Sequence, residues 1–481
     1  MNVALDTLAL LPEVFVLGGA IVALLAGSFL PRNRQVATRW IAILALMASV
    51  VAAAAGMMQP PTTIFEASFA VDIGSGFGRI IIALTTIFVI VLGIEELSGA
   101  RRESETYALL LLAALGAMLL SGASDLLILV TGYLLTSIPL YALIGMSRSP
   151  GAAEAAMKTY LLGALLGIMM LLGVTVLFGV GGGTSYHQVG PALVDAPAAA
   201  LAAGVVGVLG GLMFKAGGVP GHFWIPDATQ ASGTAVAAFL TTVPKIGALI
   251  ATYRLLDIIP ASIDWPLVVG VLAAASMTLG NLAAFWQDDV RRLLGWSTVS
   301  QVGYLMLPVA VAGRTDLALP SLLLYLAGYA ATNLTAFAVV AALPTRRTLT
   351  DYRGAARSHP WLAGALVVSL LGLVGTPPTI VFVGKLTTLA AAWDGGLAWL
   401  AIIAVINSVA SLFYYLRWLA PMFSRAVALP LSPSASSPVA AVARVRRRWA
   451  AGSAVTGAAS VLVLGIVAGG ILSIAGSPLV H

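Results

Sequence analysis

Residues 215–227 read Lys215-Ala216-Gly217-Gly218-Val219-Pro220-Gly221-His222-Phe223-Trp224-Ile225-Pro226-Asp227. They close an apolar run that begins near residue 198 and precede another that begins near 233. Paired glycines followed by a proline cannot continue a regular helix, so the segment predicts a break directly after a lysine. At membrane depth such a break frees backbone polar groups, which are tolerated only where protein or a hydrated cavity satisfies them. Broken helices of this kind form the ion sites of transporters.

The combination recurs. Pro244 precedes Lys245, and Gly375-Thr376-Pro377-Pro378 lies seven to ten residues before Lys385; each is expected to break or kink its helix. These three residues and Lys158 are the only lysines in 481 residues, and arginine supplies every other basic charge. Arginine keeps its proton in any protein environment, whereas burial disfavours the charged form of lysine and lets it load and release a proton. Lys215, Lys245 and Lys385 are therefore candidates for a proton path. The competing reading is that the prolines shape packing and the lysines reach an interface.

Composition sets the class. Hydrophobic residues make up 60% of the chain and charged residues 9%, with a mean hydropathy of +1.00. Apolar runs of about 20 residues recur from end to end, which predicts a polytopic α-helical membrane protein and not a β-barrel of short alternating strands. About fourteen spans are expected, near 8–29, 37–58, 78–96, 106–121, 125–146, 156–181, 198–217, 233–256, 266–286, 293–312, 319–342, 360–390, 398–420 and 452–474. No basic residue precedes the first span, so it lacks the front of a secretory signal and is expected to be retained. The absence of cysteine excludes disulfides, thiolate metal sites and Cys-ligated iron–sulfur clusters within this sequence.

Arginine placement predicts orientation. The loops after spans 1, 3, 5, 9, 11 and 13 carry Arg32, Arg34 and Arg39, Arg101 and Arg102, Arg148, Arg291 and Arg292, Arg346, Arg347, Arg353 and Arg357, and the run from Arg444 to Arg448. The intervening loops hold little beyond Arg254 and Arg314, so both termini are expected on the outer side of the membrane. This topology accounts for the net charge of +6 without invoking nucleic acid. The stretch 421–449, with its prolines and serines, reads as a cytoplasmic linker that leaves span 14 to pack peripherally. The interruption near 59–77 reads as an outer-face hairpin or loop. Lys158 lies four residues after Glu154, a spacing that supports an ion pair at the membrane edge as well as it supports proton transfer. His222, among aromatic residues, is a candidate cap or gate, or a structural hydrogen-bonding group.

Beyond residues 215–227, the segments Thr234-Ala235-Val236-Ala237-Ala238-Phe239-Leu240 and Val243-Pro244-Lys245 extend a block that resembles the centre of the subunit N family of bacterial respiratory complex I, the NADH–quinone oxidoreductase. Leu10-Leu11-Pro12-Glu13, Ser124-Asp125-Leu126-Leu127, Pro139-Leu140-Tyr141-Ala142, Ala156-Met157-Lys158, Arg291-Arg292-Leu293-Leu294-Gly295-Trp296-Ser297-Thr298 and Gly375-Thr376-Pro377-Pro378 through Lys385 are similar to further family segments. Pro244-Lys245 favours subunit N over the family's paralogous antiporter-like subunits. The resemblance implies two inverted five-helix repeats with spans 7 and 12 broken, Lys215 and Lys385 at equivalent places, and Lys245 between them. It divides the chain into 1–104 (spans 1–3), 105–257 (spans 4–8), 258–420 (spans 9–13), the linker 421–449, and 450–481 (span 14). It implies proton relay through the lysines, driven by quinone reduction elsewhere in the complex. NADH, FMN, iron–sulfur clusters and quinone would belong to partner subunits in a bacterial plasma membrane.

Three positions depart from the family pattern. Leu134 stands where the family has a span-5 glutamate, Gln301 where it has a span-10 histidine, and Gln230-Ala231-Ser232-Gly233-Thr234-Ala235 replaces a proline-rich motif. No Asp or Glu falls in the middle of any expected span, so the lysines lack an obvious carboxylate partner. Lys158, His222 and Gln301 remain as accessory candidates. A proton- or sodium-coupled antiporter subunit and a non-pumping structural paralogue are the alternatives.

Overall fold

The computed structural model describes residues 3–425, 447–476 and 479–480. Twelve of its helices are long and apolar enough to cross a membrane. The first half contributes span 1 (Leu11–Phe29), span 2 (Val36–Gly56), span 3 (Ile73–Leu92), span 4 (Glu103–Gly122), span 5 (Leu126–Gly145), span 6 (Pro150–Gly181), span 7a (Ala198–Ala216) with its short continuation 7b (Trp224–Ala231), and span 8 (Thr234–Asp257). The second contributes span 9 (Trp265–Ala284), span 10 (Val290–Val309), span 11 (Ala318–Ala342), span 12a (Pro360–Val374), span 12b (Ile380–Asp394), span 13 (Ala398–Phe423) and span 14 (Arg448–Ile466). The all-α polytopic architecture expected from the sequence is present, with spans 7 and 12 interrupted. Both interruptions follow a glycine in the left-handed region, Gly217 at φ 79° and Gly375 at φ 95°, where a side chain would be strained.

Some expectations require correction. Span 3 starts at Ile73, not 78, because Asp72 caps it through a reciprocal hydrogen-bonded pair with Ser75. Span 8 runs through Pro244 as one continuous helix. Between spans 2 and 3, β1 (Thr62–Ile64) and β2 (Phe69–Val71) form the small antiparallel hairpin read from the sequence. Span 14 has only 33% of its apolar window buried, but it packs closely where it touches: it lies against spans 3 and 11 and both halves of span 12, and a Cβ at Gly465 would run into the Pro378 carbonyl. Consecutive glutamates hold this arrangement. Glu95 accepts from the Trp449 and Ala450 N–H groups at the start of span 14, at 2.5 and 3.3 Å, while Glu96 accepts from Thr234 and Ala235 at the start of span 8, at 2.9 and 3.2 Å. Residues 426–446 of the expected linker, with Arg444 and Arg446, lie outside the described residues, as does His481.

Span 8 is the enclosed centre, with 94% of its apolar window buried against 28% for span 6, which turns most of its surface outward. Arginines read from the sequence as topology markers are not all in loops. Arg254 sits in the last turn of span 8, fully buried and paired with Asp72. Burial alone would raise the Asp72 carboxyl, but Arg254 and the backbone donors outweigh it and hold it below the usual carboxylate range. The Val480 backbone completes this site, donating to Asp72 at 3.2 Å and accepting from Arg254 at 3.3 Å. Arg79 of span 3 is likewise buried and grips Glu13 of span 1 through two bonds of 2.7 and 2.9 Å.

Candidate functional site

The broken and proline-bearing helices converge with all three candidate lysines buried among them. Each lysine sits at an irregularity that local backbone chemistry explains. In a helix the N–H of residue i bonds the carbonyl of residue i−4, so a proline frees that carbonyl. Pro244 thus frees the Leu240 carbonyl, and Lys245 Nζ donates to it at 3.3 Å. Span 12a ends at Val374 with Gly375 as its cap, which leaves the last-turn carbonyls of Leu373 and Val374 without helical donors, and Lys385 Nζ donates to both, at 3.1 and 3.0 Å. Lys385 also reaches Ser408 Oγ at 3.2 Å and lies 3.9 Å from the centre of the Tyr304 ring.

Lys215 behaves differently. Its Nζ donates to Ser137 Oγ of span 5 and lies 4.7 Å from the centre of the Tyr133 ring. The groups loosened by its break go elsewhere: Trp224 Nε1 donates to the Phe214 carbonyl at 3.0 Å, and the Val219 N–H donates to Ser276 Oγ at 2.9 Å. Lys215 precedes its break while Lys385 follows its own, so the two do not occupy equivalent positions in the helices that carry them. Lys245 lies between, with its Nζ 3.5 Å from where a Cβ on Gly217 would stand.

Gln301 belongs to the Lys385 end. Its Nε2 donates to the Leu373 carbonyl at 2.9 Å, the same oxygen that Lys385 uses, and its Oε1 accepts from Tyr325 at 2.6 Å. One turn along span 11, the Tyr329 hydroxyl donates to the Thr241 carbonyl at 2.6 Å, next to the carbonyl held by Lys245. Polar side chains therefore fill the space between the central and terminal lysines.

The remaining candidates lie apart. Lys158 is half-exposed and shared between Glu154, at 2.6 Å, and Asp227, at 3.0 Å; Arg292 competes for Asp227 at 2.5 Å. The i,i+4 pair read from the sequence is present, but Asp227 on span 7b is an additional partner that spacing could not reveal. His222 is buried between the rings of Phe223 and Trp296, with its Nδ1 unpaired. Leu134 is 43% exposed on the outer flank of span 5. Ser137, Tyr133, Tyr304, Ser408 and Tyr325 were not singled out in the sequence, where serine and tyrosine in an apolar span carry no signal of which face they occupy.

Residues 123–411 match the protein family described as NADH:quinone oxidoreductase/Mrp antiporter, TM. The chain is 54% identical to NADH-quinone oxidoreductase subunit N of Mycobacterium sp. strain JLS, over 97% of each sequence. The chain belongs to that family. It is also 50% identical to NADH-quinone oxidoreductase subunit N 1 of Streptomyces griseus, over 99% of each. Among solved structures, a chain of respiratory complex I from Thermus thermophilus, with bound aureothin, is 29% identical and superposes with a TM-score of 0.82, covering 97% of this chain and 100% of its own. A chain of the Mrp complex from Dietzia shares the fold at 23% identity, with a TM-score of 0.83 and coverage of 99% and 97%. Family membership fits the two interrupted helices and the buried lysines beside them.

Proposed function

We propose that this chain is a proton-translocating membrane-arm subunit of an NADH–quinone oxidoreductase, in which Lys215, Lys245 and Lys385 carry protons and quinone reduction in partner subunits drives them. The observation that carries this reading is the placement of all three lysines in the interior without a carboxylate partner among the described residues, each held by neutral oxygens at a helix irregularity. A buried ammonium so held is stabilised enough to exist and is not locked by an opposite charge, which suits a group that must gain and lose a proton. No redox chemistry is assigned to the chain itself; NADH, FMN, iron–sulfur clusters and quinone belong to the partners. Spans 4–8 and 9–13 serve as the two repeats, within the boundaries 105–257 and 258–420. Arginine placement puts the Arg148 and Arg291 loops on the cytoplasmic face of a bacterial membrane and both termini on the other.

Replacing Lys215 or Lys245 by alanine in the intact complex is expected to lower protons translocated per NADH oxidised, while the complex still assembles. Lys→Arg is expected not to rescue, because arginine keeps its proton. The measurement is dye-reported acidification of inverted membrane vesicles alongside the quinone reduction rate. Parental proton-to-electron ratios in both alanine variants would leave a purely structural subunit.

A further inference from the structure

Span 5 carries three hydroxyl side chains, Tyr133, Ser137 and Tyr141, at successive turns of one helical face turned toward spans 6 and 7. Lys215 Nζ donates to Ser137 Oγ, its one hydrogen-bond partner among the described residues. Ser137 Oγ donates in turn to the Tyr133 carbonyl at 2.6 Å, and Tyr141 is the next hydroxyl along the same face. Span 6 is shaped to receive these rings: the Tyr133 hydroxyl donates to the Gly163 carbonyl at 3.0 Å, and a Cβ at position 163 would run into the Tyr141 hydroxyl. Tyr160 of span 6 then meets the Tyr141 ring edge-on at 5.8 Å. Leu134, one residue from Tyr133, points off this face.

We propose that Ser137, seated between Tyr133 and Tyr141, is the positioning group for Lys215 in place of a span-5 carboxylate. The proposal rests on Lys215 being a proton carrier. A serine hydroxyl can accept and donate at once, which the leucine at 134 cannot. Because it carries no charge, it orients the ammonium without locking the proton on it.

The test uses the intact complex in inverted vesicles, reading dye-reported proton translocation per NADH oxidised. Ser137→Ala is expected to slow proton transfer through this subunit about tenfold, as loss of a hydrogen bond to a charged group would. Ser137→Thr keeps the hydroxyl and is expected to stay near the parent. All variants are compared at equal levels of assembled complex, so the contrast between Ser137→Thr and Ser137→Ala carries the test if the alanine variant assembles poorly. Parental translocation in Ser137→Ala, with loss in Lys215→Ala, would overturn the positioning role of Ser137 and leave the lysine reading intact. Parental translocation in both variants would overturn both. A Ser137→Thr variant as impaired as Ser137→Ala would assign the effect to packing and also overturn the proposal.

Discussion

The breaks in spans 7 and 12 look alike in sequence, each pairing a lysine with glycine and proline, yet they are closed by different means. In span 12 the lysine itself, with Gln301 beside it, satisfies the break, donating to the Leu373 and Val374 carbonyls at the end of span 12a. In span 7 a tryptophan and a serine from neighbouring elements satisfy the loosened backbone, and Lys215 is free to point at span 5. Lys385 is thus part of the architecture as well as a candidate carrier, whereas Lys215 is a side chain whose removal leaves the break closed. Equivalent motifs in the two halves do not make equivalent lysines.

The strongest way to break this comparison is to truncate both lysines. Lys385→Ala abandons the Val374 carbonyl and leaves that of Leu373 to Gln301 alone, and an unsatisfied acceptor costs about 1–3 kcal/mol. Lys215→Ala leaves Ser137 still bonded to the Tyr133 carbonyl. Both variants are expected to lose translocation, but only Lys385→Ala should also lower the thermal inactivation midpoint and the yield of assembled complex. Equal thermal behaviour in the two would show that Lys385 does not hold its break.

The glycines at the breaks provide a smaller and sharper contrast. Gly217→Ala and Gly375→Ala each force a side chain into the left-handed region, at a cost of about 1–2 kcal/mol. A Cβ at 217 meets the Ile225 side chain, while one at 375 lies 2.9 Å from Lys385 Cδ and displaces the lysine stem. At equal levels of complex, Gly375→Ala is therefore expected to reduce proton translocation more than Gly217→Ala. The reverse order, measured in the same vesicles, would remove the link between the span-12 break and its lysine.

Much of this was legible in the sequence, and the reason is physical. Membrane length, apolar runs and the Gly-Pro interruptions act locally, so the spans and the breaks at Gly217 and Gly375 could be read from composition and backbone rules. Of the break or kink expected at Pro244, the break does not occur: Lys245 takes the carbonyl that the lone proline frees, and the helix continues. Partners could not be read. Arg254 reads in the sequence as a loop charge, whereas the structure pairs it with Asp72, and Arg79 pairs with Glu13, each across more than sixty residues of sequence. Ser137 and Ser408 carry no charge and no unusual spacing, and only the packing of spans 5 and 13 turns them toward the lysines.

The smallest expected effect tests the same asymmetry from the side of span 5. Leu134 occupies the family's glutamate position, but here it is 43% exposed, with Tyr133 and Ser137 turned to Lys215 in its stead. A glutamate at 134 would place negative charge on the flank of the site, where partial exposure screens it. An opposite charge favours the protonated form of a nearby lysine, so the ammonium would persist to higher pH. Leu134→Glu is therefore expected to move the alkaline limb of the translocation profile upward by about half a pH unit, in keeping with the weak coupling of exposed pairs. Adding Lys215→Ala should abolish the shift, whereas adding Lys385→Ala should leave whatever translocation remains shifted as before. A Leu134→Glu shift that survives the loss of Lys215 would mean that position 134 acts through some other group. Span 5 would then have no electrostatic claim on the span-7 lysine, and the hydroxyl of Ser137 would be left as its sole means of control from that helix.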